Sequence, residues 1–299
     1  MARTPLNAFT VDVEDYFQVS AFDGRVSRES WETVTPRIDI GLSELLDLMD
    51  RHGVRGTFFI LGWIARHRPD LVRRIAERGH EIGCHSHEHR LVYTQTPAEF
   101  RTDLRQALGS LQDATGRSCA AYRAPTFSLT RRSLWALPIL AEEGIRLDSS
   151  IYPVLHDRYG IPGAPRFPYR PLPDVPEFVE FPPSTFRLFG ATLPCAGGGY
   201  LRIYPPALTR FALRQLNGTD GQPAVVYVHP WEFDPAQPVI AGGSLRSLRH
   251  RVNIGAMSGR VAALLAGFAF GAMGDVIAGL GGPSALPVLD VARSAAAGT

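Results

Sequence analysis

Short apolar runs alternate with longer amphipathic ones through the first two-thirds of the chain. AFTVDV (8–13) and GTFFIL (56–61) read as buried strands, and EIGCH (81–85) and CAAYRA (119–124) as shorter ones. GIRLDSS (144–150) and PAVVYVHP (223–230) continue the series. Between them the spacing predicts helices over 40–53, 69–79, 96–116 and 131–144. The first carries Leu42, Leu45, Leu46 and Met49 at helical spacing and stops at Gly53. The second opens with proline and closes with glycine, and the third opens Thr-Pro-x-Glu, which suits a helix N-terminus. The fourth must be kinked or shortened by Pro138.

Strands separated by helices imply βαβ units and a parallel sheet. The expected fold class is therefore α/β, a distorted parallel (β/α) barrel of about seven strands. Residues 152–206 break the rhythm, with many of the 24 prolines and a Gly-Gly-Gly run at 197–199. They read as a proline-rich excursion that shapes one face. The barrel domain is expected over 1–235, and a short C-terminal extension packed on it over 236–299, its Ala/Gly/Ser-rich tail frayed. VAALLAGFAFGAMG (261–274) is uncharged but falls short of the ~18–20 residues that span a bilayer, so a buried helix is expected and no transmembrane segment.

Composition adds exclusions. With 299 residues, 45% hydrophobic and 20% charged, the chain has the make-up of a soluble globular protein. A net charge of +2 gives no footprint for nucleic acid. The N-terminus lacks an apolar signal core, and Cys84, Cys119 and Cys195 are an odd set at wide spacing, which fits reduced thiols. The expected location is cytoplasmic, with work close to the inner membrane. Oligomeric state has no signature.

The chemistry gathers at strand ends. His85 and His89 in HEIGCHSHEHR stand four apart after a strand, so they share a face if the chain turns helical there. His80 and His87 are expected to be bystanders. Asp12, Glu14 and Asp15 fall where the first strand finishes, and alternation puts Asp12 and Glu14 on one face with Asp15 on the other. Two carboxylates on one face of an apolar strand are costly unless a cation sits between them. Two histidines and one carboxylate form an open ligand set for a catalytic metal, leaving a second carboxylate to act as base. Arg123, in YRAPTF, can pair with Asp12; Asp148, in LDSS, and His229, in YVHPWE, end two further apolar runs.

In order, these motifs resemble those of the polysaccharide deacetylases with NodB homology, carbohydrate esterase family 4. The resemblance covers about residues 6–235 and is carried by Asp12 with Glu14, HSHEH (85–89), RAP (123–125), DSS (148–150) and YVH (227–229). The strings FTVDVEDYFQV, GTFFILGWIA, YRAPTFSLT and VYVHPWEFDP are most similar to the subgroup found with exopolysaccharide and exosortase loci. The resemblance implies a metal-dependent N-deacetylase acting on an N-acetylated glycan. Asp12 would be the base and His229 the acid, Arg123 would hold Asp12, and Asp148 would tune His229. His85 and His89 would bind the metal, usually zinc, with an acidic third ligand. The family's common Thr-Phe-Asp-Asp-Gly is replaced here by Thr-Val-Asp-Val-Glu-Asp. Strand geometry favours Glu14 as that ligand, with Asp15 the alternative if a bulge intervenes. Thr126 is expected to offer its backbone N–H to an oxyanion, and Tyr200, Arg202 and Trp231 to contact a sugar. Two rival readings are a hydrolase of a cyclic amide or ureide on the same scaffold, and a non-catalytic glycan-binding relative.

Overall fold

The computed structural model describes residues 5–22, 24–195, 197–240 and 250–291. The frayed tail expected at the end of the chain lies mostly outside them.

Strand β1 (Asn7–Val13) is buried along its whole length and is the axis of the sheet. It pairs in parallel with β2 (Thr57–Ile60) on one side and β9 (Val225–Val228) on the other. From β2 the parallel ladder continues through β3 (Glu81–Cys84), β4 (Ala121–Tyr122), β5 (Leu147–Asp148) and β6 (Val179–Glu180). Those strands, in the order β9-β1-β2-β3-β4-β5-β6, are the parallel barrel-like sheet the pattern predicts. Near its open seam Ser184 Oγ accepts from the Val225 N–H at 2.7 Å. Alternation on β1 is strict. Phe9, Val11 and Val13 pack outward under the helices, while Ala8, Thr10 and Asp12 point into the barrel.

The outer layer follows the expected helices with trimmed ends. These are α1 (Ile38–Arg51), α3 (Pro69–Glu77), α4 (Pro97–Thr115) and α5 (Ala136–Glu142), with a short unpredicted α2 (Gly62–His67) after β2. Helix α4 opens with a complete Thr96–Glu99 capping box and ends at Gly116 in the left-handed region, φ 69°. Pro138 shortens α5, which starts only two residues before it and so needs no amide there. Gly41 of α1 is forced by packing: a Cβ there would lie 1.8 Å from the Pro230 carbonyl oxygen. The helix thus presses directly on the segment that follows β9.

The proline-rich excursion carries β6, a hairpin of β7 (Thr185–Leu188) and β8 (Ala191–Pro194), and the one-turn α6 (Gly199–Ile203), followed by α7 (Pro206–Arg214). The apolar stretch near 261–274 is not one helix. Helix α8 (Met257–Gly267) stops at Gly267, and Phe270–Gly271 form β10, which pairs with Asn7 and Ala8 of β1. Helix α9 (Met273–Gly279) then plugs the N-terminal mouth of the barrel with Met273, Val276 and Ile277, its first amide bonded to Thr57 Oγ1 at 2.8 Å. Among the described residues no helix is long and apolar enough to cross a membrane. With one mouth plugged, the polar side chains collect at the other, where the strands end.

Candidate active site

Glu14, one residue beyond β1, turns inward beside Asp12. His85 and His89 leave the end of β3, and one donor atom from each of Glu14, His85 and His89 lies within 4.8 Å of the others. The two histidines meet through a left-handed turn rather than a helix, with Ser86 at φ 69° and His89 at φ 55°. Asp103 of α4 holds that turn, accepting from Ser86 Oγ at 2.7 Å and from the His87 N–H at 2.9 Å. Thr126 and Phe127, at φ 54° and φ 50°, add two more left-handed residues at the ends of neighbouring strands. Such conformations persist where surrounding contacts hold them, and they concentrate at functional sites.

His85 Nδ1 lies 2.8 Å from the Arg123 carbonyl, which can only accept. Nδ1 therefore carries the hydrogen, and Nε2 keeps its lone pair for the site. Burial pushes the His85 imidazole down to about 4 and the His89 imidazole well below its ordinary value, so both are neutral at neutral pH. Two neutral imidazoles and a carboxylate, all buried, suit a divalent cation of borderline softness.

Asp15 takes no part in that set. Its carboxylate accepts from the backbone N–H groups of Tyr16 at 2.7 Å, Arg37 at 2.8 Å and Ile38 at 3.0 Å, which anchors the start of α1. Burial raises it to about 6 despite those three donors. His80 accepts from the Gly56 N–H and packs on Phe58, and His87 Nε2 meets Gln106, so both lie outside the set.

Asp12 is gripped from one side. Arg123, fully buried, donates to Asp12 Oδ1 at 2.6 Å and to Thr10 Oγ1 at 2.8 Å, and its guanidinium lies 4.2 Å over the Phe59 ring. The other carboxylate oxygen, Oδ2, faces His229 Nε2 at 4.0 Å, and the same nitrogen lies 3.3 Å from Glu14 Oε1. Burial alone would lower the His229 pKa. The hydrogen bond and charge of Glu232, with the charges of Glu14 and Asp12, outweigh it and raise the imidazole to about 9.

Three expectations need correction. Asp148 makes no ion pair with His229 among the described residues. It stands opposite Glu180 across the β5–β6 ladder, and Ser150 Oγ donates to its Oδ1 at 2.5 Å. Arg202 is not open to a sugar: it is buried, with Nε on Glu232 Oε1 at 2.7 Å. Trp231 is buried too, stacked between His229 and His250 at 5.0 and 4.0 Å. Tyr200 is half-buried, with its hydroxyl 3.0 Å from that of Tyr159, and Thr126 Oγ1 meets Ser20 Oγ at 2.7 Å. Glu232 was missed. The signal was its spacing, a carboxylate three residues after His229, where it also accepts from the His229 N–H at 2.9 Å.

Burial pushes the Asp148 carboxyl up to about 6, and burial with the Asp148 charge pushes Glu180 well above the carboxylate range. Among the described residues no other group donates to Asp148 Oδ2 or Glu180 Oε2, so the pair is expected to hold a proton between them. Unfolded carboxyls release theirs near pH ~4. The folded state therefore binds more protons above that pH, and stability falls as pH rises through about 6. In Glu180→Gln an amide can donate to Asp148 without that proton. Relative to wild type, its unfolding free energy should gain on the order of 1–3 kcal/mol between pH 5 and pH 8, read from urea midpoints. Parallel pH profiles for the two proteins would remove the shared proton.

A polysaccharide deacetylase family model matches residues 39–143, and a domain of unknown function (DUF3473) matches residues 149–278. The chain is 32% identical over 82 residues to the peptidoglycan-N-acetylmuramic acid deacetylase PdaA of Bacillus subtilis (strain 168), covering 27% of this chain and 31% of that protein. It is 28% identical over 99 residues to the chitooligosaccharide deacetylase of Bradyrhizobium sp. (strain ANU 289), covering 33% and 42%. The chain thus spans roughly a third of the length of these curated relatives. A crystal structure from Mycobacterium smegmatis assigned to the polysaccharide deacetylases superposes with TM-score 0.61 at 22% identity, covering 97% of this chain and 94% of that one. The PuuE allantoinase shares the fold with TM-score 0.57 at 14% identity, covering 92% and 89%. The polysaccharide deacetylase match over residues 39–143, the order of the motifs and the barrel shared with the Mycobacterium smegmatis structure all point the same way and support a polysaccharide deacetylase.

Proposed function

We propose that the chain hydrolyses N-acetyl groups of an amino-sugar glycan, with a divalent cation, zinc by the donor set, held by Glu14, His85 and His89. The observation that carries this reading is the convergence of those three donors beside an arginine-held Asp12 and an imidazole at His229. When bound, the cation supplies Lewis acidity at the acyl oxygen and acidifies a water.

The chain's own groups then divide the proton work. Arg123 occupies Asp12 Oδ1, so Oδ2 is the atom free to take a proton from the attacking water. His229 presents Nε2 to the same space and gives its proton to the departing amine, so acetate and a free amino sugar result. Thr126 is the residue assigned to offer its N–H to the oxyanion, a role supported by its tie to Ser20 and its left-handed backbone. Tyr200, beside the Gly-Gly-Gly turn that returns over His229, is the candidate for a sugar contact. The motif strings favour an exopolysaccharide, or its lipid-linked or soluble precursor, as the substrate class.

The test is acetate release from N-acetylglucosamine oligomers by chelated protein, with and without added zinc, and with allantoin as a parallel substrate. Zinc is expected to restore acetate release from the oligomers and to leave allantoin untouched. Allantoin turnover without oligomer turnover, or oligomer turnover insensitive to chelation, overturns the reading.

A further inference from the structure

His229 is held from behind by groups that the five family motifs do not contain. Its Nδ1 lies 3.1 Å from Glu232 Oε2, and the same oxygen accepts the His229 backbone N–H at 2.9 Å. The Glu232 N–H returns a bond to the His229 carbonyl at 3.1 Å. A carboxylate only accepts, so a hydrogen stands on Nδ1 and the ring's other nitrogen must face forward. Trp231, stacked at 5.0 Å and 24°, and Tyr227, edge-on at 5.8 Å, fix the ring plane.

Glu232 has no exposed surface, and an isolated charge there would be costly. Arg202 of α6 meets it, with Nε 2.7 Å from Oε1. The far end of that guanidinium donates from Nη1 to the His250 carbonyl at 2.6 Å and the Val252 carbonyl at 3.3 Å. The chain from imidazole to carboxylate to guanidinium therefore ends on backbone of the C-terminal region. Asp148, meanwhile, is occupied by Ser150 and Glu180.

We propose that Glu232, clamped by Arg202, is the positioning carboxylate of His229: it fixes the hydrogen on Nδ1 and aims Nε2 at Asp12 and Glu14. In this chain that part falls to the region after residue 149 whose family model carries no function, not to Asp148. The inference rests on the proposed deacetylation for its catalytic consequence, but its geometric half stands without any substrate.

The experiment uses full-length, metal-free protein with 15N-labelled histidine, read by long-range 1H–15N spectra, together with steady-state kinetics on the zinc-loaded protein. In the wild type His229 Nδ1 is expected to be protonated. Glu232→Gln should shift the His229 nitrogen resonances and lower kcat by roughly 10–100-fold, with KM within about twofold. Arg202→Lys should shift the same resonances less and lose less kcat, while Asp148→Asn should leave them in place. A purely structural role would lower stability without moving those nitrogens or splitting kcat from KM. An unprotonated Nδ1 in the wild type, a shift caused by Asp148→Asn instead, or full kcat in Glu232→Gln overturns the assignment. If Glu232→Gln fails to fold, the wild-type spectrum and Arg202→Lys decide. If the wild type turns over no N-acetylated glycan, the proposed function falls while the spectra still judge Glu232.

Discussion

Asp12→Asn should lower acetate release by about 10²–10⁴-fold, the usual worth of a positioned general base. The asparagine keeps an oxygen for Arg123, which occupies Asp12 Oδ1 at 2.6 Å, so the side chain can stay in place. What it loses is the second oxygen's ability to take a proton, on the side facing His229. The donors Glu14, His85 and His89 are untouched, so zinc affinity measured by equilibrium dialysis should change by no more than about tenfold. That pairing of results matters. A large loss of turnover with retained zinc assigns Asp12 to proton transfer, whereas parallel losses of both would make it a fourth donor. Turnover within about tenfold of wild type would remove Asp12 from the proton chemistry altogether.

Much of this arrangement is legible in the sequence because it depends on period and position. Alternation along β1 is enough to put Asp12 and Glu14 on the inner face, and the apolar runs are enough to line up the strands whose ends carry His85, Arg123 and His229. The i, i+4 spacing of His85 and His89 suggested a helical turn, yet Ser86 and His89 adopt positive φ instead. The side chains still converge, since Asp103, sixteen residues beyond His87, supplies the acceptors that hold the turn.

What stayed hidden depends on contacts that no local pattern encodes. Strand β6 is two residues long inside the proline-rich excursion, so Glu180 has no periodicity to mark it as a partner for Asp148. Asp15 looked like a spare metal ligand because its true partners, the amides of Arg37 and Ile38, lie more than twenty residues away. Arg202 read as a sugar contact because arginines in loops are usually exposed. Its burial follows from Glu232 and from carbonyls nearly fifty residues downstream. The C-terminal stretch read as a helix because Gly-Ala-rich apolar runs do not distinguish a helix from a short buried strand, and only pairing with β1 separates them.

Arg123→Met should destabilise the fold by about 3–5 kcal/mol, because it removes one partner of a fully buried ion pair and strands the other. Asp12 is buried, and its hydrogen-bonded partner in the barrel interior is the guanidinium. The same guanidinium also donates to Thr10 on β1 and, from Nη2 at 3.0 Å and Nε at 3.3 Å, to Ser149 after β5, so it crosses the barrel and ties distant strands together. Arg123→Lys should recover only part of the loss, because a single ammonium cannot reach Asp12, Thr10 and Ser149 at once. Urea unfolding of wild type and both variants at fixed zinc measures this, with the m-value checking that a single transition is compared. The ordering expected is wild type, then lysine, then methionine. A methionine variant within about 1 kcal/mol of wild type would mean that Asp12 is protonated or rehydrated in the folded protein. Only the rehydrated case leaves Asp12 charged, as the base proposed for it must be.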